Sequence, residues 1–323
     1  DKEQDTKRKS PHSEREYQTN VVTQLSGYQP ANAAAIQKPS ERTDKRRSMN
    51  QQSNKILVSV IIPTYKPGAY LQECIESICQ QTIAKGMFEL IIVLNGCDEP
   101  YRSNINTFLA KCQGNINVRV LQTDQPGVSN ARNMGINEAQ GEFICFIDDD
   151  DWVSANYLEE LTNAAQDGAD IVASNVLCYS DETGLYTEDY ITRAFKRISS
   201  PSNIPILQAR SFMSSSCCKI IRREKIGRKR FDCHFRIGED SLFMASISNK
   251  TKHISKSSPK AVYYRRLRKS SASRTTTSLS AHIKNACHLT SAYTRILMSD
   301  ILHYNWLFFA SRYVALLLNI LRG

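Results

Sequence analysis

From Lys55 to Leu177 short apolar runs alternate with helical periods. Ile56 to Ile62 reads as a buried strand closed by Pro63, and Leu71, Ile75 and Ile78 recur at helical spacing. Phe88 to Leu94 is the second strand, Tyr101 to Cys112 a weaker helix, and Val118 to Gln122 the third strand. Val128, Ala131, Gly135 and Ala139 put a stripe of small residues on a helix that can lie close to a sheet. Phe143 to Ile147 is the fourth strand. Ser154 is placed to N-cap a helix carrying Leu158, Leu161 and Ala165, and Asp170 to Leu177 returns to strand. The order predicts an α/β fold, a mostly parallel sheet covered by helices, with ligands beyond the carboxyl ends of its strands.

Past Leu177 the regularity fails. Tyr179 to Pro205 is rich in turn residues and reads as a mobile excursion, and Ser216 to Ile221 reads as a strand entering the basic run RREKIGRKR. Ile237 to Ser248 is a helix headed by Gly238, Glu239 and Asp240, with Phe243 and Ile247 on its buried face; Ala261 to Tyr264 is another strand. Two helical stretches close the chain. In the last, Trp306, Phe309, Tyr313, Leu316 and Ile320 form an apolar face and Asn305, Arg312 and Asn319 a polar stripe. Arg312 is too central for a membrane span, which leaves a helix in the membrane interface or one docked on the domain.

A chain of 323 residues, 41% hydrophobic, can bury one large core or two smaller ones. Its ten cysteines contain no CxxC pair and several sit in apolar runs, so they read as reduced thiols of a cytosolic protein, neither a disulfide frame nor a zinc site. Residues 1–48 are polar, without hydrophobic period or signal-peptide pattern, and read as disordered; Met49 is the first methionine, which suggests a natural start there. The net charge of +10 hides a division. Residues 49–192 carry 7 basic and 20 acidic side chains, and residues 193–274 carry 21 and 4. An acidic half suited to a metal precedes a basic segment suited to anions, whether phosphorylated substrates, an anionic membrane surface or nucleic acid.

The acidic half culminates in GEFICFIDDDDW. Four adjacent carboxylates at the end of a buried strand repel one another, so a cation is expected among them. In an extended segment Asp148 and Asp150 point the same way and can share one divalent ion, while Asp149 and Asp151 face elsewhere. Oxygen ligands without His or Cys favour Mg²⁺ or Mn²⁺. The competing reading is an acidic loop or the N-terminal decoration of the next helix.

PTYKPGAYLQECIESICQQT, FELIIVLNG, GVSNARNMGINEAQGEFICFIDDDDW and FRIGEDSLF follow one another in an order and spacing that resembles the inverting family 2 glycosyltransferases, nucleotide-sugar enzymes of the GT-A fold. The resemblance is dense from Val58 to Asp151 and resumes from Lys219 to Arg274. It implies a GT-A-type, Rossmann-like, mostly parallel sheet with helices on both faces over residues 55–275, a nucleotide-sugar half (55–177) and an acceptor half (178–275). Residues 1–54 are then a disordered or non-native extension, and 276–323 a C-terminal helical extension. Residue by residue, Asp148 and Asp150 match the DxD that holds Mn²⁺ or Mg²⁺ against the donor diphosphate, with Asp149 between them at the donor. Asp240, beside Glu239, matches the catalytic base. Pro63, Thr64 and Tyr65 match the turn lining the nucleoside pocket, and Arg132 an arginine near the nucleotide or its phosphates. Where the family often has Asp-Asp-Gly-Ser, this chain has Leu94, Asn95, Gly96 and Cys97, so only Asn95 is left to meet a uracil edge. Tyr263, Tyr264, Arg265, Arg266 and Arg268, before Ser271 and Ser273, match a segment whose arginines can clamp diphosphate.

The chemistry asks for these residue types. An acceptor hydroxyl is too weak an acid to ionise at neutral pH and needs a carboxylate to take its proton, while the departing diphosphate needs cationic stabilisation. The expectation is a metal-dependent inverting transferase moving sugar from a UDP-sugar to a glycan or lipid-linked acceptor of a bacterial surface polysaccharide, cytoplasmic and peripheral at the inner membrane face. A nucleotidyltransferase would need a Gly- and Lys-rich triphosphate loop, which PTYKPG matches poorly. A non-catalytic binder of anionic lipid or nucleic acid would leave the four aspartates without a task. No nucleic-acid motif is present, and no nucleic-acid partner is expected.

Overall fold

The computed structural model describes residues 55–112, 116–268 and 279–322. The expected extension over 1–54 and the Ser271 and Ser273 positions lie outside the described residues. The first half runs β1 (Val58–Thr64), α1 (Tyr70–Cys79), β2 (Phe88–Asn95), α2 (Tyr101–Ala110), β3 (Asn117–Thr123), α3 (Val128–Glu138), β4 (Phe143–Phe146), β5 (Trp152–Val153) and α4 (Tyr157–Ala164). The second half runs β6 (Ile171–Ala173), β7 (Asn175–Ser180), β8 (Tyr186–Thr187), α5 (Tyr190–Arg197), β9 (Lys219–Arg222), α6 (Arg223–Ile226), α7 (Glu239–Ile247), β10 (Ile254–Lys256), β11 (Val262–Leu267), α8 (Leu279–Ser299) and α9 (Trp306–Arg322).

The larger sheet has the order β10-β6-β9-β4-β1-β2-β3, parallel throughout except for β9, which is antiparallel to both neighbours. Every residue of β1 and β2 is buried, as expected of largely apolar strands covered on both faces, with the buried Ser59 donating to Glu89 between them. Val58 aligns with Phe88 on one side and Phe143 on the other, so β1, β2 and β4 begin together and, being parallel, send their following loops out at one edge. The small-residue stripe has the expected use: a Cβ on Gly135 would stand 2.5 Å from Ile61 Cγ2, so α3 lies on β1 at a distance only glycine permits. Gly141 is tighter, with its Cβ position 2.5 Å from the Ser59 amide nitrogen.

Several expectations are corrected. Asp170 to Leu177 is not one strand: it breaks at Ser174, β6 staying in the large sheet and β7 joining a second sheet of order β5-β11-β7-β8. The strand read at Ser216 to Ile221 is β9, inserted antiparallel between β4 and β6. Ser154 caps no helix; its Oγ donates to the Lys260 carbonyl and accepts from the Val262 amide, tying the β4–α4 connection to β11. Tyr179 to Pro205, read as mobile, holds β8 and α5, the latter started by a capping box in which Asp189 accepts from the amides of Ile191 and Thr192. The cysteines are not all thiols. Cys79 and Cys112 form a disulfide between the end of α1 and the segment just past α2.

The last helix docks. Phe308 and Phe309 are fully buried, and Arg312, 7% exposed, donates to Ser214 Oγ at 3.0 Å and to the Arg210 carbonyl at 2.6 Å. The residue that interrupts the apolar face is thus the one that fastens it. Among the described residues no helix is long and apolar enough to cross a membrane.

Candidate functional site

The loops after β1, β2 and β4 meet at the carboxyl edge of the sheet, and the four aspartates lie there. They form a turn closed by Asp151 N–H donating to the Asp148 carbonyl at 3.1 Å, not the extended segment expected, so their directions are set by partners and not by alternation. Asp151 is 4% exposed and takes the Tyr263 hydroxyl at 2.7 Å and the Arg266 amide at 2.8 Å, which locks β11 beneath the turn. Asp149 accepts from Thr64 Oγ1 at 2.5 Å. Asp148 and Asp150 keep the freer carboxylates, 40% and 17% exposed, and both line one cavity of about 570 Å³.

Cations already balance both. Arg132 Nη2 lies 2.8 Å from Asp148 Oδ1, and Arg268 Nη2 lies 2.5 Å from Asp150 Oδ2. The balance is incomplete. Burial pushes the Asp149 carboxyl up to about 6, and burial together with the neighbouring carboxylates raises Asp150 and Asp151 as well. A cluster of oxygen-only donors still short of positive charge fits a hard divalent ion. Among the described residues no three His, Cys, Asp or Glu side chains form a ready cage. An ion there would have only the Asp148 and Asp150 carboxylates from the chain, with water and phosphate oxygens needed to complete its shell.

The same guanidinium that meets Asp148 meets the second acidic motif. Arg132 is 3% exposed on α3, and its Nη1 lies 2.6 Å from Asp240 Oδ1 and 3.4 Å from Glu239 Oε1. Burial opposes its charge, but the Asp240 and Asp148 carboxylates outweigh that, and the guanidinium is held well above its ordinary pKa. Its Nε has no hydrogen-bond partner. Sequence reasoning set Arg132 near the nucleotide; the structure shows a bridge between the two acidic motifs.

Asp240 opens α7 behind Gly238, whose φ of +91° is one that glycine adopts without strain. Ser216 donates to it through Oγ at 2.8 Å and through its amide at 3.2 Å, and Ser215 Oγ through a third bond at 3.2 Å. Burial would raise this carboxyl, yet Arg132 and Ser216 win and hold it below the usual carboxylate range. Glu239 moves the other way, pushed up to about 7 by burial and by Asp240. Lys219, 1% exposed on β9, was missed. Its ammonium donates to the carbonyls of Ser215 (2.5 Å) and Cys217, fixing the loop that cradles Asp240. A lysine at the head of an apolar strand was the signal available.

Pro63 and Thr64 finish β1 in the core, and Tyr65 follows on the surface, 51% exposed. Asn95, expected at the base, has a structural task in the fold. Its Nδ2 donates to the Thr64 carbonyl at 2.7 Å, its Oδ1 accepts from the Gly127 amide at 2.9 Å, and it is 3% exposed. Its amide fastens three loops, using one of its two N–H donors and one of its two oxygen lone pairs. The arginines of β11 separate by role. Both Arg265 and Arg266 line the cavity, but Arg266 is 6% exposed and held between Glu73, Asp181 and the ring faces of Tyr70 and Trp152, whereas Arg265 is paired with Asp189 at 2.6 Å. The opposite cavity wall, Thr187 to Tyr190, comes from the segment that read as an excursion.

Residues 59–228 match the family model described as glycosyl transferase family 2. The minor teichoic acid biosynthesis protein GgaB of Bacillus subtilis (strain 168) is 33% identical over 212 residues, 64% of this chain and 22% of that protein. Glycosyltransferase GlyG of Streptococcus pneumoniae serotype 4 is 38% identical over 130 residues, 40% of this chain and 42% of that protein. This chain therefore spans less than half the length of either relative. Among solved structures, Staphylococcus aureus TarS 1–349 in complex with UDP-GlcNAc has a TM-score of 0.62 at 22% identity, covering 74% of this chain and 66% of that one, a likeness of fold.

Proposed function

The chain belongs to glycosyl transferase family 2, and on that premise we propose that it is a metal-dependent inverting transferase moving sugar from a UDP-sugar to a hydroxyl of a glycan or lipid-linked acceptor. The observation that carries the reading is the bridge through Arg132, which brings the Asp148 side of the site and Asp240 to opposite ends of one guanidinium. An inverting displacement needs a proton acceptor on one side of the reacting carbon and charge stabilisation for the leaving diphosphate on the other.

Asp240 is the proposed base. Its lowered pKa keeps it ionised at neutral pH, and Ser215, Ser216 and Arg132 fix its direction. Asp148 and Asp150 would hold Mn²⁺ or Mg²⁺, which when bound supplies Lewis-acid stabilisation to the diphosphate. Arg265, which lines the cavity, and Arg268, paired with Asp150 of its wall, are suited to phosphate oxygens. Thr64 and Asn95 shape the nucleoside side, Asn95 through the loops it ties together. The UDP preference rests on the TarS complex with UDP-GlcNAc, and a teichoic-acid or polysaccharide acceptor on the relatives' names. The test is nucleoside diphosphate release from UDP-, GDP- and TDP-sugars with Mn²⁺, alongside Asp150→Ala and Asp240→Asn.

A further inference from the structure

The edge of the large sheet opposite Asp148 carries features that sugar transfer does not use. Phe143 opens β4 and Asp148 follows its end, so Arg222, paired with Phe143, marks the far edge; Asp170, just before β6, stands there too. The turn between α8 and α9 reaches this edge. Asn249 Nδ2 donates to Asp300 Oδ2 at 2.8 Å, and Asp170 Oδ2 accepts from the amides of Lys252 and His253.

At that turn Met298 is 63% exposed, Ile301 54%, Leu302 90% and Trp306 67%. A helix-to-helix turn in water is ordinarily polar, and so many large apolar side chains in one short segment mark a surface that meets something. The turn is not frayed. Tyr304 within it is buried and donates to the Ser246 carbonyl at 2.8 Å, and Phe308 and Phe309 anchor the next residues in the core. Arg228, Lys250, Lys252 and Arg295 are exposed on this side, against the exposed Glu224 and the paired acids Glu142, Asp170, Asp232 and Asp300. A groove of about 320 Å³ beside them is lined by Lys229, Arg230 and Arg295 together with Leu242 and Ile296.

We propose that this edge docks on an anionic lipid surface, with Leu302 and Trp306 entering the interfacial layer and the surrounding cations meeting headgroup phosphates. Exposed aliphatic and tryptophan side chains ringed by Lys and Arg are the combination that interfacial binding uses. A second copy is the poorer occupant, because a twofold contact would set the same cations against each other. Docked this way, the chain turns the Asp148 edge away from the lipid and leaves the cavity open. The inference does not depend on the donor chemistry.

The test is co-sedimentation of the purified chain with phosphatidylcholine vesicles made with and without phosphatidylglycerol, for wild type, Leu302→Ser/Trp306→Ser and Arg228→Glu/Lys250→Glu. Wild type is expected to pellet with the anionic vesicles and to be released by salt. Each double variant is expected to bind about tenfold more weakly while keeping its thermal unfolding profile. Equal binding by all three proteins, or none by wild type, overturns the proposal. So does a wild-type dimer in sedimentation velocity that the Leu302→Ser/Trp306→Ser protein loses, since the patch would then be a protein interface.

Discussion

Arg132 Nη1 lies 2.6 Å from Asp240 Oδ1, across a separation of 108 residues in the chain. The pair is nearly withdrawn from water, and the same guanidinium also holds Asp148. Removing a buried partner leaves uncompensated charge, which costs more than the pair contributed. Arg132→Gln is expected to lower unfolding free energy by about 3 kcal/mol, read by urea denaturation at neutral pH. Adding Asp240→Asn should restore part of the loss, because the two changes share one interaction. Full additivity would show that the pair is not coupled.

The two neighbours at the head of α7 titrate in opposite directions. Glu239 is raised from 4.5 to about 7 in the folded chain, so its contribution is fully present below about pH 4.5 and lost as pH rises through 7. Asp240 is lowered, so its contribution is present above its unfolded value and lost only in strong acid. Glu239→Gln is therefore expected to be more stable than wild type at pH 8, by about 2 kcal/mol, with the difference vanishing near pH 4. Denaturation at both pH values reads this directly; a variant less stable than wild type at pH 8 would contradict the assignment.

Gly141 faces backbone, since an added Cβ would stand 2.5 Å from the Ser59 amide nitrogen and 2.8 Å from the Val58 carbonyl carbon. A strand in the middle of a seven-stranded sheet cannot shift to make room. Gly141→Ala is expected to destabilise by about 2 kcal/mol, measured as a lowered denaturation midpoint with unchanged slope.

Much of this molecule was legible in its sequence, for reasons that also explain the failures. The strands β1, β2 and β4 are apolar runs whose environment is decided locally, and Gly135 sits in a stripe whose spacing shows its purpose. The place of β9 is not local information: KIIR reads as a strand, but nothing in it says that it runs antiparallel between β4 and β6. Asp189 and Thr192 are a capping box in plain view, hidden by the turn residues around them. The Cys79–Cys112 pairing needed the packing of α1 beside α2, and the turn of the four aspartates needed Thr64, Tyr263 and Arg266. The acidic motifs themselves were found; that Arg132 joins them was not, because an arginine beside phosphate and one between carboxylates look alike in sequence.

Divalent dependence should be visible without turnover. UDP with Mn²⁺ is expected to raise the thermal midpoint of wild type by several degrees, UDP with a chelator to raise it little, and Asp150→Ala to abolish the metal-dependent part. An equal shift with chelator would place nucleotide binding outside Asp148 and Asp150.

The most direct measurement is donor turnover by the purified wild type, Asp150→Ala and Asp240→Asn, followed as UDP release from a panel of UDP-sugars with Mn²⁺ and an acceptor glycan. The expected result is turnover of one donor by wild type and loss of transfer in both variants, with metal-dependent UDP binding lost in Asp150→Ala and kept in Asp240→Asn. Undiminished transfer by Asp240→Asn, or turnover indifferent to both the metal and Asp150, would contradict the division of labour assigned to the two ends of Arg132.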